Sequence, residues 1–409
     1  MKRPNLLLIG PGIAIAATGV GAGDMIAASV AGAKYGTIIL WAAVFGAAIK
    51  FVMNEGIARW QLATGLTLIE GWSQKLHPII PIIFGFYLLL WSFIVAGALI
   101  SACGLAGRAL FGGLSETAWG MIHSIAALVL VLTGRYTLFE KTMKVLIAPM
   151  FLLIILCAIL IRPEWNILIP SLVVPTVPAG SGAFILGVIG GVGGSVTLLS
   201  YGYWIREKEW TEAEAHKMVK LDLGVAYGLT GLFGVAMMII ASGVGIEAIK
   251  GTRMILALAD QLGTVLGPVG KSLFLIGFWC AVFTSMIGVW QGIPYLFTDF
   301  IQTVRPGTKP GNGEAVQTNS LLYRGYLAYL AFPPMILLLI NKPIWIIVVY
   351  SVMGSLFMPF LTGTLLFMNN KKQWVNQLRN GWLTNGILFL SLVVFSYLAY
   401  NSIVALLSQ

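Results

Sequence analysis

Apolar segments long enough to cross a bilayer recur along the whole chain of 409 residues. A transmembrane helix needs about 20 predominantly apolar residues, and charged residues make up only 10% of this chain, against about 25% in soluble domains. The sequence therefore predicts an all-α membrane protein, one transmembrane domain over residues 1–409 with the lipid bilayer as its surroundings. The eleven predicted spans are 11–31, 36–60, 79–107, 117–134, 142–161, 180–204, 222–246, 266–298, 322–341, 343–368 and 383–407.

Positive charges are distributed unevenly between the loops that join these spans. With the N-terminus in the cytoplasm, seventeen Lys and Arg residues lie in inner segments and seven in outer segments. Cytoplasmic loops of membrane proteins carry such an excess. The placement of the charges therefore explains the net charge of +10, and no nucleic-acid partner is expected. We expect an integral membrane protein of the bacterial plasma membrane with its N-terminus inside and its C-terminus outside. No cleavable signal peptide is visible, and the first apolar run is interpreted as a span.

Two of the predicted spans are rich in glycine near their middles. The first contains ATGVGAGDMIAAS, residues 17–29, and the sixth contains GVIGGVGGSVTLLS, residues 187–200. Glycine weakens a helix by about 1 kcal/mol relative to alanine, and Asp24 is expensive at membrane depth unless it is compensated. Paired breaks at matching positions are typical of transporters built from inverted repeats, where unwound backbone faces a substrate.

Two other interpretations apply to these glycines. Small residues four apart, such as Gly19 and Gly23, often serve close helix packing in membranes. A nucleotide-binding loop is disfavoured because no strand precedes either cluster, so no nucleotide is expected. The acid beside the first cluster, and the presence of a second cluster, favour a substrate site over packing alone.

Several motifs resemble the Nramp family of metal-ion transporters. They are GPGIAIAATGVGAGDMIAASVAGAKYG (10–36), GRYTLFEK, RPEWNILIP and MPFLTGTLLFMNNKK. The resemblance implies a LeuT-type fold of ten helices in a 5+5 inverted repeat plus one extra helix, with helices one and six discontinuous. The repeats would cover about 10–162 and 180–369, and the extra helix about 383–407.

The chain departs from the family at the positions that bind metal and carry protons. Where the family has Asp-Pro-Gly-Asn in the first span, this sequence has Gly21, Ala22, Gly23 and Asp24. Where the family has Met-Pro-His-Asn in the sixth, it has Gly194, Ser195, Val196 and Thr197. The soft thioether that favours transition metals is therefore missing. The family also has a histidine later in the sixth span, where this chain has Tyr201. The family's acidic pair in the third span falls near Ala96 and Leu99 of this chain.

The remaining polar groups define a predicted ion site. Hydroxyls in the eighth span resemble the sodium ligands of LeuT-type transporters, although such hydroxyls also bond to their own helix. Lys50, deep in the second span, either contacts Glu55 or serves as a counter-ion for Asp24 or for an anion. The predicted substrate residues are Gly21, Ala22, Gly23, Asp24, Gly193, Gly194, Ser195 and Thr197. The predicted sodium residues are Thr18, Gly21, Thr284 and Ser285.

These residues predict a secondary active transporter of a small inorganic ion, with no enzyme activity and no cofactor other than a coupling Na⁺. An amide-rich site with hydroxyl donors favours a small anion such as bicarbonate, driven by sodium. The alternative is a hard divalent cation, Mg²⁺ or Mn²⁺, for which Asp24 would be the metal ligand and bound water would complete the shell.

Overall fold

The computed structural model describes residues 10–133, 136–210, 215–243, 253–305, 316–339 and 343–407. Helices dominate these ranges, which contain no strand. In chain order the α-helices are α1 (Pro11–Gly19), α2 (Ala22–Tyr35), α3 (Trp41–Thr64), α4 (Leu68–Gly71), α5 (Ile79–Phe111), α6 (Glu116–Thr133), α7 (Tyr136–Leu160), α8 (Trp165–Val173), α9 (Gly182–Gly191), α10 (Ser200–Glu207), α11 (His216–Gly243), α12 (Arg253–Val304), α13 (Leu321–Ala331), α14 (Pro343–Met368), α15 (Lys372–Val375) and α16 (Trp382–Leu407).

Helices occupy all eleven predicted spans within the described ranges. By length and composition, eight described helical segments are apolar enough to cross a membrane, and nine if α1 and α2 form one bent span. The second and tenth predicted spans, α3 and α14, do not meet this criterion. Helix α3 contains Lys50, Glu55 and Arg59. The ends of the seventh and ninth predicted spans, 244–246 and 340–341, lie outside the described residues, as do several loop charges used to predict orientation.

The first predicted span is broken where the glycines predict it. Helix α1 ends at Gly19, α2 begins at Ala22, and the two are bent by 58°. Between them Val20 and Gly21 leave the helical conformation, with Gly21 extended at φ −109° and ψ 179°. No glycine of this break has a positive φ.

The sixth predicted span is broken over a longer stretch. Helix α9 ends at Gly191, a short 3₁₀ helix covers Val196–Leu199, and α10 begins at Ser200. Gly193 and Gly194 adopt left-handed backbone angles, φ +86° and +80°, which glycine adopts without the steric penalty that a Cβ brings. These two glycines therefore allow the backbone conformation that joins the two half-helices of this span.

Three long helices surround the broken spans. Helix α1 packs against α11 and α12, while α2 and α3 both pack against α9 and α11. Helix α12 bends at Gly267, with φ +74°, just before Pro268. The predicted eighth span therefore begins at this bend, and the helical segment that precedes it was not predicted.

The extra helix α16 packs mainly on α14 and also reaches α3 and α9. Phe395 on its inner face is buried, whereas Trp382, near its start, is exposed. The extra helix therefore takes part in forming the region around the break in the sixth span.

Candidate functional site

The two breaks touch each other directly. A Cβ placed on Gly19 would lie 3.0 Å from the carbonyl carbon of Gly193, and one on Gly194 would lie 3.5 Å from the Cα of Gly19. Backbone thus packs against backbone at the midpoint of both spans. Gly19 supplies the space for this approach, as the packing interpretation expects. Gly193 and Gly194 supply the left-handed backbone conformation of the sixth-span break.

Asp24 lies in the first turn of α2 and caps that helix. Its Oδ2 accepts a hydrogen bond of 2.9 Å from the backbone N–H of Gly21, where a carboxylate also interacts favourably with the helix dipole. A Cβ on Gly191 would lie 3.4 Å from its Oδ1, so the carboxylate reaches from the first break to the end of α9. The side chain is only partly buried, because two cavities open onto it.

The central cavity has a volume of about 50 Å³, enough for a small ion with a few waters. It lies between the two breaks and the helices α5 and α12. Its lining includes Thr18, Gly21, Ala22, Gly23, Asp24, Trp91, Val95, Leu99, Gly194, Ser195, Thr197 and Ser285. Asp24 and Gly194, one from each break, therefore line the same cavity.

A second cavity of about 260 Å³ meets the central one at Asp24. It is bordered by α2, α9, α14 and the extra helix α16. Its lining includes Gly23, Asp24, Gly187, Gly191, Gly194, Ser195, Met358, Phe395 and Ser402. Asp24, Gly194 and Ser195 belong to both linings, so these residues lie at the junction of the two cavities.

Thr197 brings an unused hydroxyl to the central cavity. The residue is 5% exposed, and its Oγ1 has no hydrogen-bond partner among the residues that the structure describes. A Cβ at position 194 would lie 2.5 Å from this oxygen. The absence of a side chain at Gly194 therefore makes room for a polar group where the Nramp pattern has a methionine. A buried hydroxyl without a partner is costly, and a bound ion or its water would satisfy it.

The two hydroxyls of α12 lie against the carbonyls at the end of α1. Ser285 Oγ donates to the carbonyl of Thr18 at 2.9 Å. Thr284 Oγ1 lies 3.2 Å from the carbonyl of Ala17 but only 2.8 Å from that of Cys280 in its own helix. Ser285 thus joins α12 to the end of α1. Thr284 mainly bonds back to its own helix, which was the alternative to a sodium-binding role.

Gly21 lies close to the same serine. A Cβ on Gly21 would be 3.2 Å from Ser285 Oγ. The four residues predicted to bind sodium are therefore neighbours, and each of Thr18, Gly21 and Ser285 also lines the central cavity.

Lys50 does not contact Glu55, which was one of the two alternatives for this residue. Its ammonium donates to the carbonyls of Gly190 and Gly194, not to Glu55. Glu55 instead pairs with Arg59 at 2.9 Å and with His216 at 2.6 Å. Of the two alternatives for Lys50, the contact with Glu55 is wrong, because Arg59 one turn along and His216 on α11 both reach that carboxylate.

Gly193, unlike Gly194, lines neither of these two cavities. A Cβ on it would lie 2.9 Å from the Tyr227 ring and 3.3 Å from Lys50 Cγ. The predicted substrate residues therefore divide into those that face the cavities and Gly193, which faces the second and seventh spans.

Metal ligands of the usual protein kind are sparse in this region. Within the part of the chain that the structure describes, no three His, Cys, Asp or Glu side chains come together as a metal-binding group. The remaining ligands for a cation are Asp24, the hydroxyls of Thr197 and Ser285, and backbone carbonyls. These are all oxygens, and such donors suit hard cations.

One buried network was missed from the sequence. Asp222, at the start of α11, accepts from the backbone N–H of Gly12 at 2.6 Å and from the Tyr201 hydroxyl at 2.8 Å. It thus joins the first turn of α1 to α10. The signal was present, since Asp222 is the acid at the beginning of the seventh apolar span, but nothing in the sequence indicates its two distant partners.

Comparison with known proteins gives the relationship of the chain. The family described as "Natural resistance-associated macrophage protein-like" matches residues 12–405. The divalent metal cation transporter MntH of Yersinia pestis is 24% identical over 255 residues, which are 59% of this chain and 60% of that protein. The matched region thus spans somewhat less than two thirds of this curated relative.

Several solved structures have a similar fold. The manganese transporter of Eremococcus coleocola has a TM-score of 0.77 at 17% identity, over 97% of this chain and 86% of that one. MhsT, solved with L-phenylalanine, has a TM-score of 0.66 at 14% identity, over 98% of both chains. These similarities confirm the all-α LeuT-type fold with discontinuous helices one and six. The family and its relatives are transporters, so the prediction of no enzyme is confirmed, and the chain belongs to the Nramp family of integral membrane transporters.

Proposed function

We propose that this protein is a secondary active transporter of a hard divalent cation, Mg²⁺ or Mn²⁺, bound at Asp24 between the two helix breaks. The observation that carries the proposal is the position of the Asp24 carboxylate, which lines both cavities at their junction. A carboxylate accessible from two cavities can pass an ion from one to the other as the helices rearrange.

The nature of the ion follows from the ligands and from the relatives. The named relatives transport divalent metal cations or manganese, which supports a divalent cation here. Glycine at position 194 offers no sulfur, so the site has no basis for preferring transition metals. With one carboxylate among the ligands, the ion would retain several waters, as Mg²⁺ commonly does in proteins.

A second candidate is a sodium-coupled small anion such as bicarbonate. The observation that favours it is the buried ammonium of Lys50 behind the sixth-span break, a positive charge that disfavours a cation and favours an anion. Ser285 and Thr284, close to the carbonyls of α1, would then supply the sodium site. The named relatives give no support for sodium coupling or for bicarbonate.

Orientation and internal symmetry belong to the same proposal. We place the protein in the plasma membrane with its N-terminus in the cytoplasm, and we divide it into repeats at 10–162 and 180–369. Accessibility of single cysteines introduced into the loops, measured on intact cells with an impermeant thiol reagent, tests the orientation.

Uptake into proteoliposomes tests the choice of ion. Mn²⁺ and Mg²⁺ entry is followed with a dye inside the vesicles, and labelled bicarbonate uptake is measured with and without an inward sodium gradient. We expect entry of both cations, with Mn²⁺ entry inhibited by excess Mg²⁺ or Ca²⁺. Sodium-dependent bicarbonate uptake without metal entry would support the second candidate instead. Protein-free vesicles are the control.

A further inference from the structure

Lys50 is a buried cation that neither cavity contacts. Its side chain is 0% exposed, and its ammonium donates to the backbone carbonyls of Gly190 and Gly194. The Met358 sulfur lies 3.9 Å away, and the Phe395 ring centroid lies 5.5 Å away. Among the described residues, no carboxylate lies within ion-pair distance of this ammonium.

The ammonium binds where a broken helix is most negative. Gly190 is in the last turn of α9, and Gly194 lies in the break that follows. Carbonyls at the C-terminal end of a helix carry partial negative charge, and free carbonyls in a broken membrane helix are potential cation ligands. Lys50 therefore occupies, from a neighbouring helix, acceptors that would otherwise be available to a transported cation.

Lys50 and Asp24 also act on each other electrostatically. Both residues border the sixth-span break: Lys50 donates to the carbonyls of Gly190 and Gly194, and the Asp24 carboxylate lies beside Gly191. An ion at Asp24 therefore experiences both an attractive carboxylate and a repulsive ammonium, in surroundings where little water screens either charge.

We propose that Lys50 is a specificity-determining residue: a fixed internal cation that lowers the affinity of the Asp24 site for divalent cations. The proposal rests on the proposed function only in placing the ion at Asp24. Repulsion grows with the charge of the ion, so Lys50 weakens divalent binding more than monovalent binding. A weakly held ion is also released more readily, which transport requires.

Metal binding to the purified full-length protein tests this proposal. Lys50→Met removes the charge and keeps an unbranched side chain, which suits the neighbouring Met358 and Phe395. We expect isothermal calorimetry to show Mn²⁺ binding at least ten-fold tighter than in the wild type. Lys50→Arg keeps the charge and should bind Mn²⁺ with wild-type affinity. Lys371→Met, which removes a positive charge beyond the end of α14, is the matched control and should change nothing.

A structural role for Lys50 predicts a different pattern. Loss of its hydrogen bonds would lower thermal stability in Lys50→Met without tightening Mn²⁺ binding, and that result would overturn the proposal. Lys50→Gln keeps a donor for the carbonyls without the charge, so it should fold and still bind Mn²⁺ more tightly. If neither neutral variant folds, Lys50 is a structural residue and the proposal is wrong. If the wild type transports no metal but Lys50→Met binds Mn²⁺ more tightly, only the proposed function fails.

Discussion

The breaks in spans one and six look alike in sequence but use glycine for different reasons. In the first, no glycine has a positive φ, and Gly19 and Gly21 provide space against Gly193 and Ser285. In the sixth, Gly193 and Gly194 are left-handed and provide conformation. The first break is stabilised by its own acid, Asp24, and the sixth by a lysine from another helix. Similar glycine clusters therefore tolerate substitution differently.

The largest effect is expected at the acid of the first break. Asp24→Asn removes the carboxylate from the junction of the cavities but keeps an acceptor for the Gly21 N–H. Loss of a charged ligand costs about 3 kcal/mol, roughly a hundredfold in ion affinity. Uptake of Mn²⁺ or Mg²⁺ into proteoliposomes should fall by about that factor, with thermal unfolding little changed. Uptake at wild-type rates would show that the ion binds elsewhere.

The sixth break should be the less tolerant of an added methyl group. Gly194→Ala forces a left-handed alanine, at about 1–2 kcal/mol, and places its Cβ 2.5 Å from Thr197 Oγ1. We expect a loss of about 2 kcal/mol of stability or more, seen as a lower midpoint of thermal unfolding. Gly187→Ala in α9, where a Cβ meets no atom within 4 Å, is the control. Equal midpoints for the two variants would contradict the conformational role of Gly194.

A smaller effect is expected at the hydroxyls that border the first break. Thr284→Ala with Ser285→Ala removes the side-chain oxygens next to the Ala17 and Thr18 carbonyls. If sodium binds there, the double variant should need several-fold more sodium for half-maximal transport, while uptake persists when a proton gradient is collapsed. Unchanged sodium dependence, or a wild type that follows pH instead, would exclude the sodium site.

The smallest effect is expected at Gly21. Its extended backbone suits any residue, so Gly21→Ala should cost only about 0.5–1 kcal/mol, for the poorer helix cap. Its Cβ would lie 3.2 Å from Ser285 Oγ, and combining it with Ser285→Ala should therefore recover part of the loss. Thermal unfolding of the single and double variants measures this. A loss as large as that of Gly194→Ala would remove the distinction between the two breaks.

The sequence was a good guide to features that depend on local composition. Apolar length predicted the helices, and the glycine clusters with Asp24 predicted both breaks and their common cavity. Contacts between distant residues were not predictable in the same way. A contact of Lys50 with Glu55, five residues away, was one of two alternatives, but its ammonium donates to the carbonyls of Gly190 and Gly194, because the fold brings the end of α9 against α3. The helical segment before Gly267 lay outside the predicted eighth span, which began at residue 266.

Asp222 has a mechanical consequence for the transport cycle. It binds the backbone of Gly12 and the hydroxyl of Tyr201 with one carboxylate oxygen, so the inner half of span one is tethered to the inner half of span six. In the proposed orientation both halves face the cytoplasm. Neither half can tilt away alone without breaking a charge-assisted hydrogen bond. Opening toward the cytoplasm would therefore move the two inner halves together, with Asp222 of α11 as their common attachment.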